Sequence, residues 1–301
     1  MNSQEKTLAR ILFQNKIYKA NGQAYEDLFT GIMSESETGF RKIKAWGKIG
    51  DQKNDGYIES KGVYYQVYAP EEIEKNYINS VKKIQKDFDG LKEKWTNVQE
   101  YYFVINDKFR GVNPESEKIL ASLKEKHSLK ESGFFTSDNL LKELFTLSDD
   151  FIETQVGFLP NIEQMTGLDY HILNEVIGFI MEQPIPMSLS DVNLPDWNEK
   201  IQFNKLNSYN AELLNKGSYM QGELDKYLEI ETTLADDLQK QVTIIYADIK
   251  EEWRDTNADN NNIFWELVNQ CSPRQGSAYQ NAVLTIMAKY FETCDIFEKP
   301  K

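Results

Sequence analysis

Two neighbouring stretches of the sequence decide the fold: GKIGDQKNDGY at residues 47–57 and YYQVYAP at residues 64–70. Turn residues precede the first strand pattern at 47–50 and separate the two patterns at 60–62. Pro70 ends the second pattern because it has no N–H for a strand ladder. The stretches therefore predict a hairpin of strands at 55–59 and 63–68, preceded by a strand at 40–46.

Helices and further strands are predicted on both sides of this hairpin. Helical spacing of apolar residues covers 9–32, with a possible break at Asn21-Gly22, and covers 71–95 after Pro70. The run YYFVI at 101–105 is apolar on both faces, which is typical of a central strand between two layers. A helix at 114–127, a strand at 132–135 and a helix at 138–147 complete a mixed sheet with helices on its faces.

The strand patterns stop near residue 150. Helices are predicted at 168–181, 198–216, 219–231, 234–254, 263–271 and 278–297. The sequence thus predicts an α/β domain at 1–150 and a mainly α-helical domain at 151–301. Six aromatic residues of the second domain are expected in its core: Tyr209, Tyr219, Tyr227, Tyr246, Trp253 and Trp265.

The net charge of −14 is unevenly distributed. Residues 1–150 carry 23 basic and 24 acidic side chains, whereas residues 151–301 carry 11 and 24. This asymmetry favours a first half that can approach a polyanion and a second half that is repelled by one. The alternative is that the acidic surface only maintains solubility.

The cysteine content and hydropathy indicate a reduced cytoplasmic protein without a membrane span. No apolar run reaches the roughly 20 residues that a bilayer requires. Cys271 and Cys294 lie far apart and without a metal-binding motif, so both are expected to be buried small apolar residues.

The predicted hairpin brings candidate metal ligands together. Asp55 begins one strand and Gln66 lies near the end of the next, so antiparallel pairing places both at one end of the sheet. Glu26 lies on the preceding helix, and the backbone carbonyl of Val67 is a further candidate. Carboxylate and amide oxygens suit Mg²⁺, which activates water and neutralises charge on a phosphate.

The pattern of Glu26, GDQKNDGY at 50–57 and YQVYAP at 65–70 resembles the restriction-endonuclease-like, or PD-(D/E)xK, nuclease superfamily. More closely, it resembles the nuclease effectors of three-component ABC-ATPase defence systems of the Lamassu type. The specific resemblance covers roughly residues 8–145. It implies a restriction-endonuclease-like α/β fold for the first domain, followed by a helical partner-binding or regulatory domain.

The resemblance also implies roles for individual residues. Glu26 would be the helix carboxylate, Asp55 the main metal ligand and Gln66 the second strand ligand. Asp51 matches a glycine-aspartate pair without an assigned role. Tyr68 stands where the superfamily has a lysine, and a tyrosine carries no charge near pH 7. Lys53 is a candidate to supply that cation from the neighbouring turn, as is Lys61.

Basic residues form two groups that are candidates for phosphate contacts. Arg41, Lys42, Lys44 and Lys48 flank the first predicted strand, and Lys82, Lys83 and Lys86 line the long helix. Such contacts position DNA without reading its sequence. The alternative for both groups is a solvated charged face.

These observations lead us to expect a Mg²⁺- or Mn²⁺-dependent endonuclease that cuts double-stranded DNA in antiphage defence. The resemblance implies restraint by an ABC/SMC-type ATPase complex and a small accessory subunit, with activity in a homo-oligomer after release. The chain has no glycine loop for phosphate binding, so the ATPase is another chain. The alternatives are an RNA-directed nuclease and a non-catalytic interaction subunit with a degenerate nuclease fold.

Overall fold

The computed structural model describes residues 1–44, 53–71, 77–159, 167–183, 196–229, 233–293 and 295–300, and for residues 77–82 it describes only the backbone. The chain divides into two compact units. One is Lys16–Ile152, and the other combines Met1–Asn15 with Glu153–Lys301. The first 15 residues, predicted to belong to the α/β domain, thus group with the helical unit.

The first unit alternates helices and strands. Its elements are α1 (Ser3–Lys19, which begins in the other unit), α2 (Gly22–Ser36), β1 (Phe40–Lys42), β2 (Gly56–Ile58), β3 (Val63–Tyr68), α3 (Tyr77–Lys94), β4 (Glu100–Ile105), α4 (Pro114–Lys126), β5 (Glu131–Phe135), α5 (Ser137–Leu144) and the start of α6 (Asp149–Val156). The predicted break at Asn21-Gly22 is confirmed, and Gly22 has φ +51°. This left-handed conformation favours glycine.

The five strands form one mixed sheet in the order β1-β2-β3-β4-β5. The first three strands are antiparallel, with Gly56 opposite Tyr65. The pairs β3–β4 and β4–β5 are parallel, with Gln66 beside Phe103. The predicted hairpin and the central position of the strand at 101–105 are therefore confirmed.

Alternation along the strands separates two apolar layers. Tyr65 packs against Phe29 of α2, with ring centroids 5.6 Å apart. The neighbouring Tyr64 contacts Trp95 on the other face, where the buried Phe88 of α3 lies in the same core. Because successive strand residues point to opposite faces, Gln66 shares the α3 face with Tyr64.

Within the described residues, the regular elements of the second unit are all helices. Besides the start of α1 and the end of α6, its elements are α7 (Tyr170–Met181), α8 (Trp197–Phe203), α9 (Ser208–Tyr219), α10 (Gln221–Leu228), α11 (Leu234–Glu252), α12 (Asn260–Cys271) and α13 (Ser277–Glu292). Most side chains of α13 are buried. No helix of the described residues is long and apolar enough to span a membrane.

The predicted single helix at 198–216 is wrong, because the chain breaks between α8 and α9. Asn204 ends α8 and Lys205 follows with φ +52°. Asn207 then caps α9 by accepting a hydrogen bond from the backbone N–H of Asn210 at 2.8 Å. The asparagine side chain offers a cap that the apolar spacing alone does not show.

Two further expectations concern single side chains of the helical unit. Cys271 is buried as expected, whereas Cys294 lies outside the described residues. Tyr219 is 83% exposed, so its predicted place in the core is wrong. It is the last residue of α9, and Gly217 is the last buried residue of that helix.

Gly62 provides a test of the hairpin geometry. It has φ +66°, and a Cβ there would lie 2.8 Å from the backbone oxygen of Asn97. Gly62→Ala is therefore expected to lower the free energy of unfolding by about 1–2 kcal/mol, measured by urea denaturation. Gly31→Ala is the control, since nothing lies within 4 Å of its added Cβ. Helix propensity predicts a gain of about 0.5–1 kcal/mol there. Equal effects of the two variants would contradict this account.

Candidate functional site

Asp55 is fixed by backbone pairing on both sides. Its N–H donates to the carbonyl of Tyr65 at 2.9 Å, and its own carbonyl accepts from the N–H of Ile43 at 3.0 Å. The ladder of the hairpin thus continues one residue beyond β2. This continuation places the Asp55 side chain beside the end of β3.

The Asp55 carboxylate accepts two short hydrogen bonds from β3. Its Oδ2 lies 2.6 Å from Gln66 Nε2 and 2.6 Å from the backbone nitrogen of Val67. Asp55 is 5% exposed and Gln66 is 4% exposed. A buried carboxylate needs such donors because it has lost its hydration. Asp55 and Gln66 thus lie together at one end of the sheet, as the antiparallel hairpin predicts.

The amide oxygen of Gln66 has a different environment. It is buried and finds no hydrogen-bond partner among the described residues. A buried acceptor without a donor costs about 1–3 kcal/mol, and a bound cation would remove that cost. The Asp55 carboxylate and this oxygen together fit a hard cation such as Mg²⁺. No group of three acidic, histidine or cysteine side chains suited to a metal is present in the described part of the chain.

Glu26 lies on the helix that packs against the other face of the sheet. Its Oε1 lies 3.4 Å from Lys44 Nζ. Lys44 follows Ile43, the residue that pairs with Asp55, so Glu26 is connected to the Asp55 segment through this ion pair. The structure thus brings Asp55 and Gln66 together and places Glu26 with Lys44.

Lys53 meets a carboxylate, Asp87, that was not predicted from the sequence, and Tyr68 contacts a lysine that pairs with the same carboxylate. Lys53 Nζ lies 3.0 Å from Oδ1 of the buried Asp87 in α3. Lys83 Nζ lies 3.0 Å from Asp87 Oδ2 and 5.3 Å from the ring centroid of Tyr68. The Tyr68 ring also packs against Phe103 at 5.8 Å.

A pattern in the sequence could have revealed Asp87. It lies between Ile84, Phe88 and Leu91, which form the buried stripe of α3. A carboxylate within the apolar stripe of an amphipathic helix must find cations or donors on the packed side. The lysine four residues earlier is one such partner.

The predicted nucleic-acid contacts are engaged in surface ion pairs. Arg41 lies 2.9 Å from Glu59, and Lys42 lies 2.8 Å from Asp27. Lys44 pairs with Asp27 at 2.9 Å as well as with Glu26. Lys48 and Asp51 lie outside the described residues. These pairs are compatible with a solvated charged face, and contact with DNA stays a prediction.

The helical unit has a buried apolar core, and part of its sequence matches a known domain family. Its buried residues are mostly apolar, and Cys271 is inert because burial raises the pKa of its thiol to about 12. Residues 171–298 match the family of C-terminal domain 10 of the ABC-three component (ABC-3C) systems. This match places the protein in the ABC-3C systems. Membership implies ABC-ATPase partner subunits and supports the expected defence context. No curated protein and no solved structure matches the chain.

The pairing of Asp27 predicts a measurable pH dependence. Hydrogen bonds from Lys42 and then Lys44 lower the pKa of Asp27 to about 2 from 3.8. The stabilisation is therefore present above pH 3.8 and is lost as the pH falls toward 2. It is small because the side chain is 52% exposed. Carboxyl carbon NMR titration should show the low pKa, and Lys42→Met with Lys44→Met should return it toward 3.8. A wild-type pKa that the double substitution leaves unchanged would contradict the pairing.

Proposed function

We propose that this ABC-3C component is a metal-dependent DNA endonuclease, the effector of its system. The observation that carries the proposal is the buried Asp55–Gln66 pair, whose amide oxygen finds no donor within the described residues. Nuclease sites of the restriction-endonuclease-like type use oxygen ligands from two neighbouring strands, and this pair occupies such a position.

The topology supports the same proposal. A helix precedes three antiparallel strands, and a crossover helix then leads to a parallel strand beside the third. This is the order expected of a restriction-endonuclease-like core. The candidate ligands lie at the end of the hairpin and near the carboxyl end of β3.

The chain's own residues prepare the site for a cation. Gln66 Nε2 and the Val67 N–H both hold Asp55 Oδ2, so the carboxylate is oriented before binding. Asp55 and the Gln66 amide oxygen would hold Mg²⁺ or Mn²⁺, with Glu26 and the Val67 carbonyl as further proposed ligands. When bound, the ion lowers the pKa of a water molecule and neutralises charge on the phosphate. Tyr68 offers a hydroxyl for hydrogen bonding, and Lys53 offers a positive charge.

The helical unit is proposed to dock the partner complex and restrain the nuclease. Residues 151–301 carry 11 basic and 24 acidic side chains, so this part repels DNA and attracts a basic protein surface. The proposed partners are the ABC/SMC-type ATPase complex and a small accessory subunit. Release and self-assembly would then place two nuclease sites on opposite strands of one duplex.

Plasmid cleavage tests the enzyme and locates its centre. The full chain, alone and with its neighbouring gene products, is incubated with supercoiled DNA and Mg²⁺ or Mn²⁺. Asp55→Ala should reduce the rate at least 100-fold, because removal of a metal ligand removes the ion's contribution. Asp27→Ala is the matched control on an exposed carboxylate and should retain activity.

The outcomes of this assay separate the candidate functions. Equal cutting by Asp55→Ala and wild type would remove Asp55 from the centre. Cutting of RNA but not DNA would identify an RNA-directed nuclease. Failure to cut under every condition, with unchanged circular dichroism, would favour the non-catalytic interaction subunit. The observation that favours this second candidate is Tyr68, which stands at the position of the superfamily lysine.

Tyr219 tests the partner surface of the helical unit. Because it is 83% exposed, Tyr219→Ser should leave the thermal midpoint unchanged within about 1 °C. If the side chain contacts the ATPase subunit, the substitution should weaken its capture by the full chain at least fivefold, since aromatic residues dominate interface energies. The control is Ser218→Ala next to it. Unchanged capture by Tyr219→Ser would exclude this residue from the interface.

A further inference from the structure

Two lysines converge on one buried carboxylate beside the candidate metal centre. Asp87 has a side chain that is 2% exposed, and each of its oxygens has a lysine Nζ at 3.0 Å. Lys53 comes from the turn before β2, and Lys83 comes from α3. The three side chains carry a net charge of about +1 at neutral pH.

The two lysines of the cluster are partly exposed to solvent, whereas its carboxylate is not. The side chains of Lys53 and Lys83 are 41% and 34% exposed, whereas the carboxylate between them is buried. An anion arriving from solvent therefore meets the two ammonium groups first. Asp87 Oδ2 lies 3.0 Å from Lys83 Nζ and makes no hydrogen bond to a described residue. Lys83 is thus held by charge and retains donors for a ligand.

The cluster is adjacent to the Asp55–Gln66 pair. Lys53 precedes Asp55 by two residues, and Lys83 lies over the ring of Tyr68, two residues after Gln66. The Tyr101 hydroxyl is buried on the same face and has no hydrogen-bond partner within the described ranges. Burial raises the pKa of Tyr101, and the charges of Asp87 and Asp55 raise it further, consistent with both carboxylates lying near this hydroxyl.

We propose that Lys53 and Lys83 bind a backbone phosphate of the polynucleotide beside Asp55, and that Asp87 positions their ammonium groups. The inference rests on the proposed nuclease function and deepens it. A backbone phosphate bears a single negative charge and has two non-bridging oxygens. Each of these oxygens can accept a hydrogen bond from one of the two lysine ammonium groups. The superfamily lysine is absent from β3 at Tyr68, and the turn and α3 bring positive charge to the same end of the strand.

Binding to labelled duplex DNA tests the lysine pair without any cleavage. Fluorescence anisotropy is measured on the full chain in EDTA over a range of salt concentrations. Lys53→Met and Lys83→Met should each weaken binding at least fivefold and reduce the log–log salt slope by about 0.9, the value for one phosphate contact. Lys94→Met is the control, because this lysine is exposed in the last turn of the same helix and is not among the candidate phosphate contacts.

The role of Asp87 has its own readout. Removal of a negative charge near DNA should by itself strengthen binding. The control Asp89→Asn removes such a charge from the exposed part of α3, so it should bind DNA as tightly as the wild type or more tightly. Asp87→Asn should instead weaken binding, because the two ammonium groups lose the carboxylate that holds them. Stronger binding by both variants would overturn the positioning role. If Asp87→Asn does not fold, the lysine variants alone decide.

The binding assay tests the phosphate site and the cleavage assay tests the nuclease, so each proposal can be overturned without the other. Unchanged affinity of both lysine variants, or a loss equal to that of Lys94→Met, would overturn the phosphate site whatever the plasmid assay shows. Lysine-dependent binding without cleavage under any condition would overturn the nuclease and retain the phosphate site. A wild-type chain that does not bind DNA in EDTA would overturn the phosphate site directly.

Discussion

The candidate site depends on the burial of negative charge. Asp55 is removed from water by the strands around it, and its stability there requires the two donors that β3 provides. Those donors in turn fix the register at the end of the hairpin. A slip of one residue would turn Gln66 to the other face and leave the carboxylate unpaired. The hydrogen-bond ladder therefore places Gln66 and Val67 beside Asp55, and the hydrogen bonds to Asp55 in turn stabilise the register of the ladder.

The two faces of the sheet have different chemistry. The face under α2 is apolar around Phe29 and Tyr65 and is edged by the exposed pairs of Lys42, Lys44 and Asp27. The face under α3 contains the buried carboxylates Asp55 and Asp87. Buried ion pairs contribute little to stability compared with apolar packing, so their presence favours a functional explanation.

The helical unit differs from the α/β unit in the residues that it contains. Its described residues contain apolar packing, aspartate and asparagine helix caps and a buried thiol, and residues 171–298 match an ABC-3C C-terminal domain. The charge distribution fits this difference, because the acidic half suits a protein partner and the nearly neutral half tolerates a polyanion. The candidate site and the ABC-3C match therefore lie in different units of one chain.

The sequence by itself determined the mixed sheet, the hairpin, the helical second half and the pairing of Asp55 with Gln66. These features follow from short-range patterns, since periodicity and turn residues specify strands and an antiparallel hairpin specifies its own neighbours. Only the tertiary structure decided that Lys53 and Lys83 meet Asp87. It also decided that Glu26 pairs with Lys44 and that Tyr219 is exposed. These contacts join elements through packing of a helix on a sheet, and the rotation of a helix about its axis is set by the whole core. The break after Asn204 was missed because capping outweighed apolar spacing at that point.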